Sequence, residues 1–159
     1  MKKNHTIKTD DAYDDSYIRE VRVNYVATST KPFRISGPED VANFVRSILN
    51  DNSREHFVAL YLDGSHRVAS YSIVSIGSAN QALVHPREVF QRAVLVGATA
   101  IAIAHNHPSG DITPSSEDRN VTVKIRDAGK ILGITVLDHV IITDTAHHSL
   151  REDSNLWND

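Results

Sequence analysis

The chain contains no cysteine, which excludes disulfides and any zinc site built on thiolates. It also lacks any run approaching the roughly 20 consecutive apolar residues needed to cross a bilayer, so no membrane partner is expected. Neither sign of charge is in strong excess. A net charge of −3 and a pI near 6.3 leave no broad basic footprint for nucleic acid. Met1, Lys2, Lys3 and Asn4 lead into polar sequence without the apolar segment of a secretion signal, and a cytoplasmic location is expected. No internal repeat or low-complexity linker divides the chain. Its 159 residues suffice for one core stable without covalent staples.

What the chain does have is concentrated between residues 97 and 118. Gly97-Ala98-Thr99-Ala100-Ile101-Ala102-Ile103-Ala104 is nearly all apolar, as suits a central strand buried on both faces. His105 and His107 close this run. Residues two apart on a strand or its extension point to the same side, so both imidazoles can aim at one point. Pro108, Ser109 and Gly110 then turn the chain, and Thr113-Pro114 has the form of an N-cap followed by proline at the first helical position. A helix is therefore expected from near Pro114, with Val121, Ile125, Ala128 and Leu132 on its core face. Asp118, in the first turn or so, can lean back towards the histidines. Two imidazoles and one carboxylate leave a fourth position open, the pattern of catalytic rather than structural zinc. Ser115 and Asp118 also admit a simpler reading as first-turn residues that complement the helix N-terminus. The consecutive letters His105-Asn106-His107 are no sign of a His-Asn-His nuclease, in which those residues are spread along a hairpin and a helix.

His105-x-His107-Pro108, followed through Pro114 by Ser115-x-x-Asp118, resembles the JAMM motif of the MPN (JAB) metalloprotease superfamily. The stretches at residues 84–90, 104–111, 128–130 and 137–142 narrow the resemblance to its RadC branch. It extends over about residues 38–152. The resemblance implies a three-layer α/β (α+β) domain with a mixed central sheet flanked by helices. It also implies a zinc ion on His105, His107 and Asp118, Ser115 supporting an oxyanion, and an upstream glutamate that takes the proton of the attacking water. Glu55, just ahead of the apolar run 57–62, stands where the superfamily's glutamate usually lies; Glu88, in the helix beginning at Pro86, is the competitor. Longer RadC proteins carry a helix-hairpin-helix region ahead of the JAB domain, which this chain is expected to be too short to hold. The chain thus resembles short, stand-alone forms often found on mobile elements.

The function this implies is zinc-dependent hydrolysis of an amide bond in a protein or peptide, as a peptidase or isopeptidase. Two alternatives stand beside it. One is a nucleic-acid-associated DNA-repair or mobile-element accessory protein, which strong, salt-sensitive DNA binding would favour. The other is a zinc-stabilised interaction module without catalysis.

The remaining elements follow from periodicity and turn chemistry. Residues 1–16 are expected to be a flexible polar tail, and residues 17–36 a strand over 17–27 with a connection; that strand would be a candidate edge for pairing with another copy. The RadC-like domain is expected over 37–159. Ser36-x-x-Glu39 has capping-box spacing, and Val41, Phe44, Val45, Ile48 and Leu49 define an amphipathic helix. Strands are expected over 56–62 and 67–76, then a helix over 86–96 that His85 caps. After the metal-loop helix, which runs to about Leu132, comes a strand over 134–142. Asp138-His139 interrupts that strand as a structural pair or as support for the ligands. His147-His148 are expected to be solvated in a turn. The loops 77–84 and 109–113 would wall a cleft.

Overall fold

The computed structural model describes residues 24, 26, 31–77, 84–152 and 155–158. In chain order these form α1 (Pro38–Ile48), β1 (Glu55–Leu62), β2 (Val68–Gly77), α2 (Pro86–Leu95), β3 (Ala100–Asn106), α3 (Ser116–Leu132), β4 (Thr135–Ile142) and β5 (His147–Ser149), then a short 3-10 turn (Asn155–Trp157). The expected tail, nearly all of the 17–27 strand and most of the 77–84 loop lie outside the described residues.

The five strands make one mixed sheet in the order β2-β1-β3-β4-β5. Only β3 and β4 run parallel, joined by α3 as crossover; the other pairs are antiparallel. The two most apolar strands lie inside. Every residue of β3 is buried, as is every residue of β1 after Glu55. An uninterrupted apolar run can be stable there because helices cover both faces.

Alternation along the strands divides the core in two. Phe57, Ala59, Tyr61, Ile101, Ile103 and Val136 face α2 and α3, meeting Val89, Phe90, Ala93 and Ile125. On the other face Val58, Leu60, Leu62, Ala100, Ala102, Ala104, Val140 and Ile142 meet Val41, Ala42 and Val45 of α1. The central strand thus turns isoleucines to one side and alanines to the other, so α1 can lie close to the sheet. The result is the expected three-layer α/β architecture.

Several local expectations need correction. The N-cap of α1 is Gly37, which makes no side-chain cap; the Asp40 carboxylate instead accepts from the Ser36 amide at 2.8 Å. The metal-loop helix starts at Ser116, because Ser115 rather than Thr113 supplies the cap. Thr113 is held in the preceding turn, its amide donating to Asp111 Oδ1 at 2.8 Å. The central strand is displaced towards the histidines, since Gly97 sits in a tight turn at φ 64° and pairing begins at Ala100. His147 and His148 lie in β5, half-buried against Ile142 and Ile141, not in a solvated turn. His85 caps α2 as expected, its Nδ1 accepting from the Arg87 amide at 3.2 Å.

The register of β4 changes at one point. Ile101 pairs with Val136 and Ile103 with His139, so Leu137 and Asp138 stand against the single residue Ala102. Unbroken alternation from Val136 would turn Asp138 to the α2/α3 face and His139 to the α1 face. The bulge reverses this and directs His139 to the α3 side, as bulges beside functional sites often do.

Candidate metal centre

Strand β3 ends at Asn106, and His105 on its last turn of pleat points to the α3 face, opposite Phe57 of β1. His107 lies just past the strand, anchored by its amide to the carbonyl of Ile142 at 2.9 Å. The turn after it closes back, with the Gly110 amide donating to the His107 carbonyl at 3.1 Å. This brings the Asp111 carbonyl to 2.6 Å from His107 Nδ1. A carbonyl only accepts, so Nδ1 carries the proton and Nε2 of the neutral ring presents a lone pair.

Asp118 comes from the first turn of α3, and its position follows from helix capping. Ser115 Oγ accepts from the Asp118 amide at 3.1 Å, while Asp118 Oδ2 accepts from the Ser115 amide at 2.8 Å and from Ser115 Oγ at 2.7 Å. This is a reciprocal capping box with aspartate in the third helical position. The first-turn reading of Ser115 and Asp118 therefore holds, and it is compatible with a ligand role for Asp118, because the cap itself orients the carboxylate.

The three side chains converge. His105 Nε2 and His107 Nε2 are 2.8 Å apart, and Asp118 oxygens lie 3.1 Å from the first and 3.7 Å from the second. One suitable atom from each falls within 4.8 Å of the others. Burial raises the Asp118 carboxyl pKa, but the hydrogen bond and charge of His105 and the hydrogen bonds of Ser115 outweigh it. They hold the group well below the usual carboxylate range. Two imidazole nitrogens and an ionised carboxylate this close need a positive centre among them, either a proton on one Nε2 or a cation in its place. Imidazole nitrogen and carboxylate oxygen are donors that zinc accepts, and three of them leave a position open. The residues present fit that ion.

Packing behind the ligands is dense. Phe57 stacks on His105 at 6.1 Å and 10° between planes, and meets His139 edge-on at 5.4 Å. His139 Nε2 lies 2.8 Å from His105 Nδ1, and its Nδ1 is 2.5 Å from Thr122 Oγ1. Complete burial, and then the nearby His105, push the His139 imidazole well below its ordinary pKa, so it is neutral. Of the pair Asp138-His139, only the histidine reaches the ligands. Asp138 turns to the other side of β4, accepting from Ser149 Oγ at 2.7 Å and from the Arg151 amide at 3.2 Å.

Between the two histidines, Asn106 clamps the start of β1. Its Oδ1 accepts from the His56 amide at 2.7 Å and its Nδ2 donates to the Arg54 carbonyl at 2.8 Å. These bonds lie on either side of Glu55. With Phe57 opposite His105, strand alternation gives half-buried Glu55 the same face, one pair further towards His107. Glu88 is exposed in the first turn of α2. Sequence reasoning missed Asn106 and Thr122. Asn106 carried a signal, a polar residue at the end of a buried strand, whereas Thr122 had none apart from the fold.

A cavity of about 310 Å³ opens beside His107, lined among others by Arg46, Asn52, Asn106, Pro108, Gly110 and Thr143. The turn at 109–113 thus helps to wall a cleft. A larger cavity, about 430 Å³, lies by the N-terminus of α1, lined by Ile35, His66, Asp138 and Arg151, and includes none of the three convergent side chains. Among the described residues no helix is long and apolar enough to cross a membrane.

Comparison with known proteins agrees with this architecture. Similar proteins include a UPF0758 protein of Alkaliphilus oremlandii, 43% identical over 127 residues, which are 80% of this chain and 55% of the relative. One from Desulfitobacterium hafniense is 49% identical over 118 residues, 74% of this chain and 52% of the relative. A third, from Trichlorobacter lovleyi, is 50% identical over 119 residues, 75% of this chain and 52% of the relative. The chain therefore spans about half the length of the curated relatives it matches. The family model of the RadC-like JAB domain matches residues 35–156, the whole sheet and all three helices, and the chain belongs to that family.

Proposed function

We propose that this domain is a zinc-dependent hydrolase acting on an amide bond of a protein or peptide, as a peptidase or isopeptidase. The convergence of His105 Nε2, His107 Nε2 and the Asp118 carboxylate, with His107 lining the adjacent cleft, carries the reading. When bound, zinc would polarise a carbonyl oxygen and bring the acidity of water towards pH 7. The residues of the chain supply the rest. Glu55 accepts a proton from the attacking water and passes it to the leaving amine. Its backbone is fixed on both sides by Asn106, which suits a base that must stay in register with the scissile bond. Ser115 has its hydroxyl proton directed at Asp118 Oδ2. To steady an oxyanion it must redirect that proton once Asp118 engages a cation. Pro108 and Gly110 border the groove along which a substrate chain would lie.

The test is hydrolysis of linear peptides and of a lysine-linked isopeptide by the zinc-loaded protein. Cleavage is expected to stop on chelation and to fall by at least about 100-fold in Glu55→Gln, the scale of a lost general base, while Glu88→Gln stays active. Cleavage that survives in Glu55→Gln and fails in Glu88→Gln would reverse the assignment of the base. One bound zinc per chain without cleavage of any amide would leave a zinc-stabilised interaction module.

A further inference from the structure

Thr122 has one hydroxyl proton and two close neighbours, the main-chain carbonyl of Asp118 and His139 Nδ1, each 2.5 Å from its Oγ1. Two oxygens at that separation repel unless a proton lies between them, and a carbonyl has none to give. The hydroxyl therefore donates to Asp118, as threonines in helices often do to the carbonyl four residues back. His139 Nδ1 must then donate to Thr122 Oγ1. A neutral ring protonated at Nδ1 has a bare Nε2, which accepts across 2.8 Å from His105 Nδ1. With His105 protonated at Nδ1, a cation can take the place of any proton on its Nε2, and Nε2 is the atom that faces Asp118 and His107. The direction of every bond follows from the carbonyl at the end.

We propose that Thr122 and His139 form a positioning relay that locks His105 in the tautomer whose Nε2 lone pair is presented to a metal ion. The inference rests on the metal reading of the site. Neither residue touches the ion or the substrate. His139 acts through His105, and Thr122 acts through His139. The β4 bulge opposite Ala102 is what brings His139 to this face, and α3 supplies both Thr122 and Asp118. The same helix thus orients one ligand directly and another by way of two hydrogen bonds. His107 needs no such relay, since the Asp111 carbonyl already fixes its ring.

The experiment is long-range proton–nitrogen NMR of the histidine rings in the zinc-loaded protein, together with zinc affinity by competition with a chromophoric chelator. Wild type is expected to show protons at His139 Nδ1 and His105 Nδ1, and none at His139 Nε2. Thr122→Val keeps the volume and removes the hydroxyl. It is expected to weaken zinc binding by about 10- to 100-fold, the usual cost of losing a partner behind a metal ligand, and to mix the His139 tautomers. Thr122→Ser is expected to restore both. A proton on His139 Nε2 in wild type overturns the relay, as does Thr122→Val that loses stability but keeps wild-type affinity and spectrum. Failure of wild type to bind zinc at all overturns the metal reading itself, a result separable from a relay that fails while zinc still binds.

Discussion

Gly129 of α3 lies so close to Ile134, just before β4, that a Cβ built on it would sit 2.6 Å from the Ile134 carbonyl oxygen. The approach follows from how the helix ends. Gly133 takes the left-handed conformation at φ 67°, and the Ile134 amide returns to the Gly129 carbonyl at 3.0 Å, a Schellman closure. The same Cβ would be 2.9 Å from Val136 Cγ2 and 3.3 Å from Phe90. α3 therefore reaches β4 with no room for a methyl group, and this junction sets where Asp118 and Thr122 stand relative to β3.

Gly129→Ala is expected to destabilise the fold by about 1–3 kcal/mol, the cost of overpacking against backbone that has little freedom to move. Urea unfolding measures it. An unchanged midpoint would mean that α3 can shift on the sheet, and the rigid-helix account of the ligand geometry would lose its basis.

Ser115→Ala removes the cap of α3 and one of the bonds that orient Asp118. A loss of about 1 kcal/mol in unfolding free energy is expected for the cap alone, with zinc binding weakened but not abolished. Ser115→Thr should recover most of both, because its hydroxyl can repeat the bonds. Full zinc affinity and stability in Ser115→Ala would show that the Asp118 main chain needs no such support.

Burial raises the Asp138 carboxyl above its usual value, against the opposing hydrogen bonds from Ser149, Arg151 and His139. A raised carboxyl binds its proton more tightly in the folded than in the unfolded state. Its contribution to stability is therefore full below the unfolded value, near 3.9, and is lost as pH rises through the folded value. Asp138→Asn is expected to remove that slope. Urea unfolding of both proteins at several pH values from about 4 upwards should show wild type losing ground to the variant. A constant difference between them would contradict the direction of the shift.

The three metal-ligand candidates were legible in the sequence because they depend on local rules: strand alternation for His105 and His107, and first-turn position for Asp118. The three layers were legible for a similar reason, since the nearly all-apolar run at 97–104 implies cover on both faces. The residues behind the ligands were less so. The role of His139 depends on a two-against-one register between β4 and β3, and an alternation counted from Val136 would put Asp138 on the metal face instead. The start of α3 was ambiguous by two residues because Thr113-Pro114 and Ser115-x-x-Asp118 are both valid helix starts. The aspartate's return bond to the Ser115 amide favours the second. His147 and His148 carry no apolar pattern, and they pair in β5 because the exposed edge of β4 offers them unsatisfied backbone groups.

The most direct test of the metal centre is elemental analysis of the purified protein beside His107→Ala and Asp118→Ala. The account predicts about one zinc per chain in wild type and its loss in both variants, with their far-ultraviolet spectra still those of the folded domain. A wild type that neither carries zinc nor takes it up when supplied would contradict it, as would variants that retain a full equivalent.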